Sequence, residues 1–486
     1  MTIRSTIKNF GINSAVYGLG NVLNKLSAFL LIPIYTHYLT LSDVGIITLI
    51  ELIEVMLITF LPLGTINALW RNLPRLGKSD KKKTIASAFW GIIIIDTAII
   101  ALLLINAGPI AELFGLGSDG QQFVNILLVN VFLITGGQFI LWMKQYELQP
   151  VHYLFLSVGQ FLGILLLSIL FIVKYNLGIF GYLYGKTIIS SILFLTSILF
   201  VLRNAFTLPS FSKLIQLMRF GIPLIPIAFV TPILSFSDRY FLMQFVTLEE
   251  IGVYGIAYKF GMIVNMLLVV PIQRSWEPLM FRIGGDRQNH TLFKDLLFYF
   301  AVIGSLLLLL IIFSSRMLLS VVATDKYLAG AKYIPWVAMA YFINGFRSFF
   351  SAGAVLNDRT MNLGRAGLLA VMVNLILNYT LIKYFGVIGA AWSTTISYLV
   401  LVLLIFRESQ SIMYIDWGFN RLGILFCALL CTILVVLYFQ TQFIDINIFI
   451  GFIGITIFIT SLKLTKIIGD REISGIKQIF KQVFKK

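Results

Sequence analysis

Charge, cysteine and histidine are all scarce in this chain. Of its 486 residues only 12% are charged, and it holds two cysteines and three histidines. With 59% of residues hydrophobic and a mean hydropathy of +0.93, a soluble chain of this length could not keep its apolar surface from water. Cys427 and Cys431 lie four apart in one apolar segment, so they share a helical face where a disulfide cannot easily close. They read as small packing residues. His37, His152 and His290 sit near the ends of apolar runs, and no cluster has metal-ligand spacing, so neither a metal nor a cofactor is expected. A GxxxxGK[ST] stretch is missing, which excludes ATP binding by that route and leaves an ion gradient (H+ or Na+), a substrate gradient or a partner as the energy source. No loop is long enough for a soluble domain; the longest lie around 276–292 and 314–332. A polymerase or glycosyltransferase would need such a loop or domain, so the chain reads as a non-enzyme. A scaffold would leave charges buried in apolar runs unexplained.

What is present is an all-α polytopic membrane protein. About fourteen apolar segments have the length of membrane helices. They run over 13–37, 44–70, 84–107, 121–143, 152–174, 177–201, 220–245, 252–275, 293–313, 333–356, 362–383, 386–406, 420–439 and 446–464. The tightest joins fall at Tyr175-Asn176 and Tyr384-Phe385, where Gly178 and Gly386 offer turns. The basic start (MTIRSTIKNFG) runs into a full-length segment without a small-residue cleavage signature, so no removable signal peptide is expected.

The net charge of +16 is read as topology and not as nucleic-acid binding. With a cytoplasmic N-terminus, the inner loops collect Arg71, Arg75, Lys78, Lys81, Lys82, Lys83, Lys144, Arg203, Lys213, Arg219 and further bases through to the C-terminal tail. The outer loops hold only Lys174, Arg316, Lys326, Lys332 and Lys383. This asymmetry puts both termini in the cytoplasm and makes the helix count even.

An internal repeat is visible. Phe10-Gly11-Ile12 recurs as Phe220-Gly221-Ile222, and Thr40-Leu41-Ser42-Asp43-Val44-Gly45 recurs as Thr247-Leu248-Glu249-Glu250-Ile251-Gly252. An even number of helices per half makes the halves parallel, related by an axis along the membrane normal. The expected division is 1–205 for the first six-helix lobe, 206–410 for the second, and 411–486 for a helix pair with a basic tail.

Charges inside apolar segments are costly in lipid and therefore informative. The bases are Lys25, Lys186, Arg239, Lys259 and Arg347; the acids are Glu51, Glu54, Asp96 and Asp238. Lys25, Asp96 and Arg347 fall near mid-segment, the others toward the outer half. The bases suit an anionic headgroup such as a phosphate or diphosphate. The acids couple an ion or balance the bases. Against this, Lys186 and Lys259 can snorkel to the outer interface, and Asp238–Arg239 can be a structural pair. Ser235 joins that pair on one face; Asn344, Arg347, Ser348 and Ser351 make another, and Asn374 with Asn378 a third. Tyr35, Tyr38, Tyr175, Tyr182, Tyr184, Tyr254 and Tyr258 read mostly as an interfacial belt. Pro223, Pro226 and Pro232 weaken the seventh segment and mark a hinge.

Several of these stretches resemble Wzx-type O-antigen and repeat-unit flippases, of the multidrug/oligosaccharidyl-lipid/polysaccharide superfamily. They are Asn21, Lys25, Pro33 and Tyr35 followed by Asp43-Val44-Gly45, the basic loop 71–83, and FGIPLIP…SFSDRYFL at 220–242 followed by Ile251-Gly252-Val253-Tyr254. The resemblance implies a V of two six-helix lobes plus a terminal pair, with alternating access. It implies transport of an undecaprenyl-diphosphate-linked oligosaccharide to the outer leaflet of a bacterial cytoplasmic (inner) membrane. Polysaccharide polymerase and chain-length machinery would be its partners. Family clefts are lined by charges of the first, second, seventh and eighth helices, which Lys25, Glu51, Asp238, Arg239 and Lys259 match by helix. The alternative is a cation-coupled multidrug exporter, which would want an acidic surplus where this chain has one more base than acid.

Overall fold

The computed structural model describes residues 29–283, 290–439 and 444–465. No strand occurs among them. The long helices, in chain order, are α1 (Leu41–Phe60), α2 (Lys78–Ile105), α3 (Gly120–Tyr146), α4 (Pro150–Ile169), α5 (Gly178–Asn204) and α6 (Phe211–Gly221). Then come α7 (Val230–Phe245), α8 (Leu248–Gly261), α9 (Val270–Ile283), α10 (His290–Val322) and α11 (Ile334–Phe350). α12 (Thr360–Phe385), α13 (Val387–Ile412), α14 (Phe419–Phe439) and α15 (Ile444–Leu464) complete the set. Ten helices among the described residues are long and apolar enough to cross a membrane. The turns expected at Gly178 and Gly386 are there, and both glycines take the positive φ that a side chain would strain.

The chain packs as two compact units, Met1–Ile256 with Val371–Ser393, and Ala257–Ala370 with Thr394–Lys486. In the first, the sequence repeat becomes a packing contact. Thr40 caps α1 in a capping box with Asp43, and Thr247 with Glu250 exchanges the same two hydrogen bonds at the start of α8. The two helix starts lie back to back. A Cβ at Gly45 would strike the carbonyl of Leu248, and one at Gly252 that of Leu41, which is the same contact taken from each half. The Ser42 hydroxyl donates to Glu249 at 2.6 Å across a separation of 207 residues, again from equivalent positions. In lipid, helices associate through such close backbone approach because no hydrophobic driving force is available.

The seventh segment departs from its expected course. Its helix starts earlier, at Phe211, breaks after Gly221 through short turns at Ile222–Leu224 and Ile225–Ala228, and resumes at Val230. Pro223 and Pro226 open those turns, and Pro232 lies in the first turn of α7. The second segment breaks too. Leu63 and Gly64 both take positive φ between α1 and the helix Thr65–Asn72. The two breaks touch, since a Cβ on Gly64 would strike the backbone of Gly221 and the reverse.

The second unit is built on aromatic packing. Phe300 of α10 contacts Phe342, Phe346 and Phe349 of α11, and Phe342 and Phe346 in turn meet Phe426 of α14. Trp276 of α9 seals one end by donating from Nε1 to the Ser348 carbonyl at 2.8 Å. Each such ring pair contributes roughly 0.5–1.5 kcal/mol beyond burial.

Candidate functional site

The predicted intramembrane charges fall into separate local arrangements. Lys186 of α5 reaches Glu54 of α1 with 2.6 Å to both carboxylate oxygens, and it also lies 3.3 Å from the Tyr182 hydroxyl. Both side chains of this ion pair are largely shielded. Tyr182 packs edge-on against Tyr35, and both rings lie within electrostatic range of Glu51 and Glu54. One base, two acids and two phenols therefore share one locality. Lys186 is held by Glu54 across helices. Lys25 lies outside the described residues.

Asp238 and Arg239 pair with each other. One carboxylate oxygen of Asp238 accepts from Arg239 Nη1 at 2.7 Å and from the Arg239 backbone N–H at 2.9 Å. The other accepts from the Tyr254 hydroxyl at 2.6 Å. Arg239 Nη1 also donates to the Ser235 carbonyl, and the guanidinium lies over the ring of Phe236. Both residues are buried, with their charge met by neighbours inside one unit. This is the geometry of a structural pair.

Asp96 stands apart. It is fully buried on α2, and Thr135 of α3 donates to its Oδ2 at 2.6 Å while Oδ1 has no partner among the described residues. Asn374 and Asn378 share a face of α12 as the sequence implies. Their partner is Ser237 of α7, which donates to Asn374 Oδ1 at 2.9 Å and accepts from Asn378 Nδ2 at 3.0 Å.

In the second unit, Arg347 occupies the last turn of α11, and beyond Ser351 the helical path continues as Ala352–Leu356, so Arg347 lies inside the expected segment 333–356. It is within electrostatic range of Glu277 and Tyr398, yet among the described residues no ion pair or side-chain hydrogen bond holds the guanidinium. Lys259, in the last turn of α8, is half-buried and engaged by neighbours. Tyr258 and Tyr341 bring their hydroxyls to 3.0 Å, and Tyr341 stacks obliquely on Tyr398.

The interfacial reading of the tyrosines holds only in part. Tyr38, Tyr175 and Tyr184 are exposed, but Tyr35, Tyr182, Tyr254 and Tyr258 are buried. Among these, Tyr182, Tyr254 and Tyr258 each meet a charged or hydroxyl group of a neighbouring residue. A tyrosine near a helix end satisfies its hydroxyl in water or on a buried partner, and sequence position does not separate the two. Nothing in the sequence marks Thr135 or Ser237, or assigns Tyr254 to Asp238, because each partners a residue on another helix. Among the described residues no group of three or more His, Cys, Asp or Glu could hold a metal ion.

The family model described as "Polysaccharide biosynthesis protein" matches residues 10–284, more than half the chain. The chain belongs to the polysaccharide biosynthesis protein family. Among solved structures, this family member is similar to one titled "Lipid II flippase MurJ, inward closed conformation". The TM-score is 0.74 at 17% identity, covering 94% of this chain and 100% of that one. It is also similar to an inward-facing multidrug resistance MATE family transporter of the MOP superfamily, at TM-score 0.57 and 14% identity, covering 85% of this chain and 94% of that one. A MATE in complex with MaL6 matches at TM-score 0.60 and 15% identity, covering 83% and 95%. These likenesses establish the fold. No curated protein matches the chain. The chain is a multipass membrane protein with this fold.

Proposed function

We propose that this protein is a flippase. It carries an undecaprenyl-diphosphate-linked oligosaccharide repeat unit from the cytoplasmic to the outer leaflet of a bacterial inner membrane, for assembly of O-antigen, capsule or exopolysaccharide. Both termini face the cytoplasm, and the working lobes are 1–205 and 206–410, with 411–486 as an added helix pair and tail. The polyprenyl tail stays in lipid while the anionic headgroup follows a cationic cleft by alternating access. A polymerase and chain-length machinery take the product.

One observation carries this reading. The half-buried Arg347 makes no ion pair among the described residues, with Glu277 and Tyr398 acting on it only at longer range, whereas Lys186 and Arg239 are each neutralised by an acid in direct contact. A desolvated guanidinium is costly unless an anion meets it, and its planar fork matches phosphate oxygens. Under the proposed topology Arg347 lies near mid-span, on the path of a headgroup crossing between the leaflets. The Lys186–Glu54 pair and Glu51 are the candidates for coupling H+ or Na+, and Asp96 is a second.

The test is surface glycan display in a strain lacking the protein, complemented with wild type or Arg347→Ala. Wild type restores display, and the variant inserts in equal amount but restores less than about a tenth, the effect of losing a charge-assisted contact. Full display by the variant contradicts the role of Arg347. If deletion leaves glycan unchanged and sensitises cells to organic cations, the multidrug exporter reading replaces this one.

A further inference from the structure

Helix α11 carries Tyr341, Asn344 and Arg347 at successive three-residue steps, which makes each a neighbour of the next along a stripe that winds round the helix. Tyr341 packs its ring against Tyr258 of α8 and Tyr398 of α13, so the stripe starts against those helices. Tyr341 and Tyr258 satisfy each other through their hydroxyls. The next two residues are not satisfied. Asn344 is buried and its Oδ1 accepts no hydrogen bond among the described residues. Arg347, one turn on and half-buried, makes no side-chain hydrogen bond or ion pair among the described residues, and Glu277 and Tyr398 act on it only at longer range.

An orphaned buried acceptor is unfavourable, and a half-buried guanidinium without an ion pair beside it leaves a positive charge free to take an anion. A single ligand serves both if it offers an anion and a hydrogen-bond donor at about 5–6 Å, the spacing of side chains three apart on a helix. A phosphate ester of a sugar has this chemistry. Its phosphate oxygens suit the guanidinium fork, and a neighbouring hydroxyl or acetamido N–H suits the carboxamide oxygen. An apolar lipid phosphate lacks the second group.

Resting on the flippase reading, we infer that Asn344 and Arg347 form a subsite for the junction of diphosphate and first sugar. Arg347 binds the phosphate, and Asn344 distinguishes glycosylated carrier from bare carrier. A site built to bond a hydroxyl discriminates against the analogue that lacks it, because its own polar group is then left unpaired. A phospholipid headgroup supplies the same phosphate without the sugar, so the test must separate these sources.

Binding to the purified full chain is measured by native mass spectrometry with three probes. They are a polyprenyl diphosphate, the same carrier bearing one N-acetylhexosamine, and phosphatidylglycerol. Wild type binds the glycosylated carrier about fivefold tighter than the bare one, the effect of one neutral hydrogen bond. Asn344→Leu brings that ratio to about one while leaving bare-carrier affinity unchanged, and Arg347→Gln weakens both diphosphates tenfold or more. Asn344→Ala carries the same prediction if the leucine variant does not purify. The inference is overturned if the asparagine variants keep the glycosyl preference. It is also overturned if Arg347→Gln keeps diphosphate affinity within about twofold, or weakens phosphatidylglycerol equally. If wild type binds neither diphosphate, the flippase reading itself fails and the subsite with it.

Discussion

Buried charge is the costly commodity of this chain, and individual residues handle it differently. Arg239 is neutralised by its own neighbour Asp238, whose second oxygen is met by Tyr254. Lys186 is neutralised across helices by Glu54. A pair of this kind is tested by a double-mutant cycle, since removing one partner leaves the other charge uncompensated. Glu54→Gln is expected to destabilise the protein by about 3 kcal/mol, and Glu54→Gln combined with Lys186→Met by clearly less. Denaturation in detergent reads both; additive losses would mean the two side chains do not depend on each other. The charged residues themselves were legible in the sequence, because a Lys or Asp inside an apolar run is conspicuous. Their partners were not. Asn374 and Asn378 announce a shared face by their four-residue spacing, but nothing near them points to Ser237. The same holds for Asp96 and Thr135, which meet across helices.

At the scale of elements, the sequence marks where helices weaken better than where they begin. The apolar run opening at 220 predicts one proline-weakened helix, yet the helix starts at Phe211 and passes through Lys213 and Arg219, which the hydropathy pattern places in a loop. Those charges lie on an exposed or half-exposed amphipathic turn, and an apolar window cannot see it. The break itself coincides with Pro223 and Pro226, as a missing N–H at each would require. The facing break at Leu63 and Gly64 carries one proline, Pro62, and its contact with Gly221 depends on the absence of a side chain at both glycines. We propose that these touching breaks form the hinge of the seventh segment. Replacing Pro223, Pro226 and Pro232 together with Ala should restore helix hydrogen bonding, slow export severalfold and leave membrane insertion unchanged. Undiminished surface polysaccharide in that variant would remove the hinge.

For the whole molecule, composition alone fixed the class, since low charge and high apolarity over this length admit only a membrane protein. The repeat was legible because the two copies of the capping box and following glycine keep their spacing, and the structure sets them against each other at Gly45 and Gly252. Substrate is a different matter. The same fold is shared with structures titled as a lipid II flippase and as multidrug transporters, so fold does not choose between cargoes. The choice rests on chemistry, on whether an unpaired arginine exists to meet a phosphate. The most direct measurement is therefore headgroup translocation in proteoliposomes containing only this protein and a fluorescent polyprenyl-diphosphate-linked glycan. Wild type should move the glycan to the opposite leaflet well above protein-free vesicles, and Arg347→Ala at less than about a tenth of that rate. Translocation no faster than in empty vesicles, under an imposed H+ or Na+ gradient as well as without one, would contradict the account.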